Sequence, residues 1–234
     1  MDFINIKKIT GKRVVDEMVK EGMKLGMGTG STAMEAVFRL DELIREGKIR
    51  QIFVVPTSYQ TEIACRERNI PLWTLNDPVI NGRLDLTIDG ADEVDPRWHL
   101  IKGGGGAMFM EKIAAFYSDQ YAIIVDESKL VAGLGAAFPI PVEVHYPALL
   151  PVSRELEKLG ARVTIREGKK LAGPVVTKQG NLIADIYFDR IIDPEAMEQA
   201  INVIPGVVEN GIFTVKVTHL FIGKEDGTVE IEKR

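Results

Sequence analysis

The sequence predicts an α/β protein: a Rossmann-like parallel sheet with helices on both faces, plus a smaller ferredoxin-like α+β domain. Three observations predict it. In the first half of the 234 residues, short apolar runs alternate with longer amphipathic ones, the rhythm of strands covered by crossover helices. In the second half the order becomes strand, helix, strand, strand, helix, strand, which is the ferredoxin-like pattern. A composition of 45% hydrophobic and 27% charged residues supplies an ample core, and no repeat or low-complexity linker separates the two parts.

Element by element, "MKLGMG" (23–28), "QIFVVP" (51–56), "LDLTIDG" (84–90) and "YAIIVD" (121–126) read as buried strands that end in turn or polar residues. Between them, 31–47, 57–69 and 107–118 read as helices; in the first, Met34, Val37, Leu40 and Ile44 recur near helical spacing. Beyond them come a strand over "PVEVHY" (141–146), a helix over 148–160 with Pro151 in its first turn, and strands over 161–167 and 182–188. A helix over 194–202 and a strand over "GVVENGIF" (206–213) complete the second pattern. The predicted domains are residues 1–131 and 132–213, with 214–234 returning to the first as one or two strands around an Asp226–Gly227 turn.

Composition also narrows the function. Net charge is −5 with no long run of either sign, so the basic face that nucleic-acid binding needs is missing. One cysteine, Cys65, rules out an internal disulfide framework and fits a reducing cytosol. No apolar run approaches the roughly 18 residues of a membrane span, and "MDFINIKKIT" lacks the apolar core of a signal peptide. The expectation is a cytoplasmic protein with neither nucleic acid nor membrane as partner.

Ligands of open α/β sheets gather at the carboxyl ends of the strands, and four loops there carry chemistry. The first, "GMGTGST" (26–32), departs from the dinucleotide fingerprint because its glycines run G-x-G-x-G and no acidic residue ends the next strand. A glycine loop entering a helix capped by Ser31 or Thr32 still forms an anion site; the plainer reading is a tight turn with an ordinary N-cap. In the second, "DGAD" (89–92), two carboxylates flank a glycine at a strand end. They suit proton management on hydroxyl groups, against the plainer alternative of an Asx turn with Asp92 as N-cap. A metal is not expected, since His99, His145 and His219 are scattered.

The third loop is "IKGGGGAMFMEKIAA" (101–115). Glycine is costly to order, and four in a row after Lys102 suit a backbone that turns its amides inward as an anion nest. Glu111 falls about one turn into the following helix, where a solvated acid favoured by the helix dipole is the competing explanation. In the fourth, "DESKL", Lys129 follows a strand closely enough to reach the same rim. Cys65 is expected to pack and to do no chemistry. Neither a G-x-S-x-G elbow nor a P-loop is present.

In this order over most of the chain, "GTGSTA", "TIDGADEVD", "IKGGGGA…EKIA", "DESKL" and "PVEV" resemble the type A ribose-5-phosphate isomerases. The likeness continues through "LEKLG" and "NVIPGVVENGIF", from about Ile6 to the tail. It implies interconversion of ribose 5-phosphate and ribulose 5-phosphate through an enediolate, with no metal or organic cofactor, by a homodimer or homotetramer. It implies Glu111 as the base between C1 and C2, and Thr29, Gly30, Ser31, Thr32, Asp89, Gly90, Ala91 and Asp92 as substrate ligands. Lys102, Gly103, Gly104 and Gly105 would line the reacting end, Lys129 would complete the pocket, and Lys7 or Lys8 is a candidate for the phosphate. Met110 stands where many members have Arg, a position without chemistry.

The physics fits those roles. Removing a carbon-bound proton needs a placed base, which partial burial of Glu111 would strengthen, and a sink for oxyanion charge, which Lys102 and the glycine amides supply. Asp89 or Asp92 would carry hydroxyl protons. Two rivals remain: a non-catalytic sugar-phosphate sensor, and a CoA-transferase-like enzyme with a glutamate nucleophile. A nicotinamide dehydrogenase is the weakest reading, given the failed fingerprint.

Overall fold

The computed structural model describes residues 3–170, 172–189, 191 and 193–234, so Met1 and Asp2 of the opening stretch lie outside the described residues. In chain order, helix α1 spans Phe3–Met18, strand β1 Lys24–Met27, α2 Ser31–Arg45, β2 Phe53–Pro56 and α3 Tyr59–Glu67. Next come β3 at Leu84–Asp89, β4 at Glu93–Val94, β5 at Leu100–Ile101, α4 at Met108–Phe116 and β6 at Ser118–Asp126. Then follow β7 (Ile140–Val144), α5 (Leu149–Lys158), β8 (Arg162–Ile165), β9 (Leu182–Tyr187) and α6 (Pro194–Asn202). The chain ends with β10 (Val207–Asn210), β11 (Ile212–Phe213), β12 (His219–Gly223) and β13 (Val229–Lys233).

The chain folds into two compact units. The first takes the described residues up to Gly90 together with Met110–Lys129 and Val215–Arg234; the second takes Ala91–Phe109 and Leu130–Thr214. This differs from the expected division at 131/132, which left Ala91–Phe109 with the first part. Those residues join the second unit because β5 pairs antiparallel with both β4 and β11. Two-residue strands are too short to show a period in the sequence.

In the first unit the sheet order is β13-β12-β6-β3-β1-β2. All neighbours run parallel except the edge pair β12–β13. Apart from the exposed edge strand β13 its strands are buried on both faces: Val54 packs with Val14, Leu40 and Phe221, while the adjacent Val55 packs with Ile80, Leu84 and Ala114. That two-sided burial is why strands here read as continuous apolar runs. Helix α1 is missing from the sequence reading because Thr10 and Gly11 interrupt its apolar stripe. The structure shows what Gly11 does: a Cβ there would lie 2.6 Å from Glu35 Cβ and 2.9 Å from Ala36 N. Gly11 lets α1 press against α2, and the close approach offsets glycine's cost of about 1 kcal/mol in a helix.

In the second unit the sheet order is β10-β7-β9-β8, antiparallel throughout, with α5 and α6 as the crossovers. This is the ferredoxin-like arrangement, and Val142, Val144, Val152, Leu156, Ala184, Ile186 and Ile201 share its core. The expected single strand over 206–213 is two strands in different sheets, parted at Gly211. Gly211 N–H donates to Pro141 O at 2.7 Å. A Cβ at Gly211 would lie 2.3 Å from Lys102 O, so only glycine fits the crossing.

No helix among the described residues is long and apolar enough to cross a membrane. Cys65 is fully buried in α3, and burial pushes its thiol up to about 12. A buried thiol without thiolate character is inert. Accordingly the native protein should resist iodoacetamide at pH 8, and one thiol should label after unfolding in guanidinium. Rapid labelling of the native chain would contradict this packing.

Candidate active site

Strands β1 and β3 of the first unit's parallel sheet end side by side, and the neighbouring β6 runs on in the same direction to Asp126. Met27 of β1 lies against Ile88 of β3, and Asp89 against Ile123 of β6. The loops that leave these ends carry Thr29–Thr32, Asp89–Gly90 and Lys129, so these candidates gather on one carboxyl edge of one sheet. Lys129 closes a short 3₁₀ turn, Glu127–Lys129, whose Ser128 N–H and hydroxyl both donate to Asp126 Oδ1.

Asp89 is fully buried, and its Oδ1 accepts the Thr29 N–H at 3.1 Å and the Gly90 N–H at 2.8 Å. One carboxylate thus ties the first candidate loop to the second. It fits only because Gly28 has no side chain: a Cβ there would lie 2.0 Å from Asp89 Oδ1 and 2.7 Å from Asp89 Cα. The Thr29 hydroxyl is 2.9 Å from that of Thr57, which also donates to Met27 O.

The N-cap of α2 is Gly30, at φ 100° and ψ 170°, and its N–H donates to Gln60 Oε1 at 3.0 Å. The expectation that Ser31 or Thr32 caps the helix is therefore corrected. Both lie inside the first turn, because the extended positive-φ conformation at position 30 belongs to glycine. The Ser31 hydroxyl instead accepts from Lys7 Nζ at 3.0 Å. Of the lysine pair, Lys7 is the one whose ammonium meets the start of a 15-residue helix, a corner that favours an anion. Glu111 sits in the first turn of α4 and is 4% exposed, which excludes the solvated-acid explanation.

In the second unit, Ala91 and Asp92 lead into β4. Asp92 is no N-cap, since a strand follows it. The register Glu93↔Ile101 puts Asp92 and Lys102 at the open end of the β4–β5 hairpin, and Asp92 N–H donates to Ile101 O at 2.8 Å. Lys102 is 3% exposed; its ammonium lies 5.5 Å from the Phe213 ring centroid, within cation–π range. Glu93, buried beside Asp92 in sequence, accepts N–H groups from Gly135, Ala137 and Phe138 at 2.6–2.7 Å. It holds that loop. His99 is likewise structural, with Nδ1 3.2 Å from Asp95 Oδ2 and Nε2 3.3 Å from Glu195 Oε1.

The glycine loop differs in detail from the expected nest. Gly103 and Gly106 have φ of 98° and 73°, and Gly106 N–H donates to Gly103 O at 2.9 Å, closing a tight turn. Gly104 N–H donates to Asp92 Oδ2 at 2.8 Å. Two of the four amides are therefore used inside the chain. Those of Gly103 and Gly105 donate no hydrogen bond among the described residues. A Cβ at Gly104 would lie 2.9 Å from both Asp92 Oδ1 and Phe138 Cζ. Arg166, just past β8, reaches the loop from behind: its Nη1 donates to Gly103 O at 2.9 Å and Gly104 O at 3.1 Å.

Sequence reasoning singled out neither Gly28 nor Arg166. Gly28 stood inside a motif read for its anion chemistry. Arg166 lies more than 60 residues from the loop, with no local pattern to link them.

The model of the family described as ribose 5-phosphate isomerase A (phosphoriboisomerase A) matches residues 53–227. The chain belongs to that family. Its relatives include the ribose-5-phosphate isomerase A of Treponema denticola, 45% identical, with the alignment covering 98% of this chain and 99% of the relative. Among solved structures, ribose 5-phosphate isomerase A of Methanocaldococcus jannaschii superposes with a TM-score of 0.92 at 42% identity, covering 98% of this chain and 99% of the other. A D-ribose-5-phosphate isomerase in complex with phospho-erythronic acid gives a TM-score of 0.95 at 39% identity, over 100% of both chains.

The Gly28–Asp89 packing makes a direct prediction. Gly28→Ala forces a methyl into the Asp89 carboxylate and should cost about 1–3 kcal/mol, as overpacking does, read from urea unfolding. Turnover should fall as well, because Asp89 must move. A Gly28→Ala protein with native stability and native turnover would show that the contact constrains nothing.

Proposed function

We propose that the chain interconverts D-ribose 5-phosphate and D-ribulose 5-phosphate by proton transfer between C1 and C2 through an enediolate, with Glu111 as the base. The isomerisation follows from family membership, carried by a family match over most of the chain and by near-full-length relatives of that name. The roles of individual residues rest on the local geometry. That geometry suits an anionic, polyhydroxylated substrate that needs one base and one set of oxyanion donors.

Burial in the first turn of α4 screens the Glu111 carboxylate from water that would compete for the carbon acid. Lys102, also buried, supplies a positive charge, and the amides of Gly103 and Gly105 supply donors for the oxygen that gains charge as the proton leaves C2. Asp89 or Asp92 manages the hydroxyl protons and ring opening. Asp89 is held by two amides and Asp92 by one, so both are oriented in advance.

Lys7, Ser31 and the start of α2 suit the phosphate, with Thr29, Gly30 and Thr32 lining that end. Gly90, Ala91 and Lys129 contact the sugar. Binding at the phosphate orients the distant carbons, so affinity at one end lowers the barrier at the other. The related isomerase with bound phospho-erythronic acid supports this reading: such an acid joins a phosphate to a planar carboxylate, the charge pattern of a phosphorylated enediolate. The proposed reaction uses no metal or organic cofactor. The enzyme is proposed to work in the cytoplasm as a homodimer or homotetramer, without nucleic-acid or membrane partners.

Glu111→Gln keeps the shape of the side chain and removes the base. Turnover should fall by roughly 10²–10⁴, while the affinity for ribose 5-phosphate, read by calorimetry, stays within a few-fold. A variant that turns over at the native rate would remove Glu111 from this role.

A further inference from the structure

Arg166 lies half-buried in the second unit; its side chain is 16% exposed and that of its partner Asp185 14%. Nε donates to Asp185 Oδ2 at 2.8 Å and Nη2 donates to Asp185 Oδ1, a two-pronged fork that fixes the plane of the group. Asp185 is fixed in turn by β9, paired with Thr164 on one side and Pro141 on the other. The remaining nitrogen, Nη1, points its donors at the carbonyls of Gly103 and Gly104. A half-buried charge clamped on one side by a carboxylate and aimed on the other at two glycine carbonyls does more than fill space.

Each carbonyl shares its peptide group with the next N–H. The Gly103 carbonyl belongs with the Gly104 N–H, which donates to Asp92. The Gly104 carbonyl belongs with the Gly105 N–H. A cationic donor on a carbonyl oxygen draws charge towards that oxygen and makes the N–H of the same peptide a stronger donor. The glycines themselves have no side chains to hold these planes, and Gly103 sits at a φ open to few other residues. The Gly103–Gly104 peptide is also held by Asp92 and by the Gly106 N–H, whereas without Arg166 the Gly104–Gly105 peptide could rotate at little cost.

We infer that Arg166, clamped by Asp185, is a positioning residue for the isomerisation: it fixes and polarises the Gly103–Gly104 and Gly104–Gly105 peptides. The first aligns Asp92, and the second primes the Gly105 N–H for the oxygen of the enediolate. This rests on the proposal that the glycine loop is the oxyanion site. Arg166 touches no substrate in this scheme; it acts through the two peptides.

The test compares Arg166→Met and Arg166→Lys with the unaltered enzyme. For Arg166→Met, kcat should fall about tenfold to a hundredfold, less than the roughly 10²–10³ lost when an oxyanion donor itself is deleted. KM should change less than about threefold, because the phosphate end is untouched. Lysine is a single-pronged cation that cannot hold Asp185 and both carbonyls together, so Arg166→Lys should fall between. The inhibition constant of phospho-erythronic acid should rise in parallel with the loss in kcat, while that of inorganic phosphate stays constant. A merely structural role would move both inhibitors together or neither.

Native kcat and native phospho-erythronic acid inhibition in a folded Arg166→Met enzyme would overturn the inference. If Arg166→Met fails to fold, Arg166→Lys decides alone, and native values for it would overturn the inference equally. Failure of the underlying site reading looks different: Glu111→Gln would then turn over normally whatever Arg166 does.

Discussion

The buried carboxylate of Asp89 is the constraint on which the carboxyl edge of the first unit's sheet depends. It stands where a parallel strand ends, and it accepts amides from its own loop and from the loop after β1. Two loops that would otherwise move independently therefore share one anchor. The anchor needs space that only Gly28 leaves. Beside it Gly30 takes its extended positive-φ conformation, α2 begins at Ser31, and the Ser31 hydroxyl meets Lys7. A single missing side chain thus propagates into the shape of an anion corner.

The second unit solves a related problem with side chains that hold a bare backbone. Four glycines could turn every amide outward or inward, and an unheld loop would present no fixed set of donors. The structure limits that freedom from two sides. Asp92 takes one amide, the turn takes another, and Arg166 holds two carbonyls. Donors fixed before the reaction need no reorganisation during it, which is where electrostatic catalysis gains most. Glycine is needed at position 104 because a Cβ there would lie 2.9 Å from both the Asp92 carboxylate and the Phe138 ring.

Much of this was legible in the chain. The two-sided burial of β1, β2, β3 and β6 wrote continuous apolar runs, and the amphipathic periods of α2, α5 and α6 gave their positions within a few residues. The four loops announced themselves through glycines and charges at strand ends. What escaped was whatever depends on contact between distant segments. Gly11 reads as a helix breaker until α2 is seen pressed against it. "GVVENGIF" reads as one strand until Gly211 is seen crossing Pro141 and Lys102. Ser31 reads as a cap until its hydroxyl is seen to meet Lys7, and Arg166 carries no mark of the loop it supports. Local propensity cannot record a steric need created more than 20 residues away.

Proton NMR of ribose 5-phosphate in D₂O, with the purified protein and no added metal, tests proton transfer by a side-chain base most directly. Ribulose 5-phosphate should appear, with deuterium entering C1 of the ketose and C2 of the remaining aldose over many turnovers. Product and aldose that both stay free of deuterium over many turnovers would point to a hydride shift and contradict the role of a base. Binding of the sugar phosphate without conversion or exchange would contradict catalysis altogether and leave a sensor in its place.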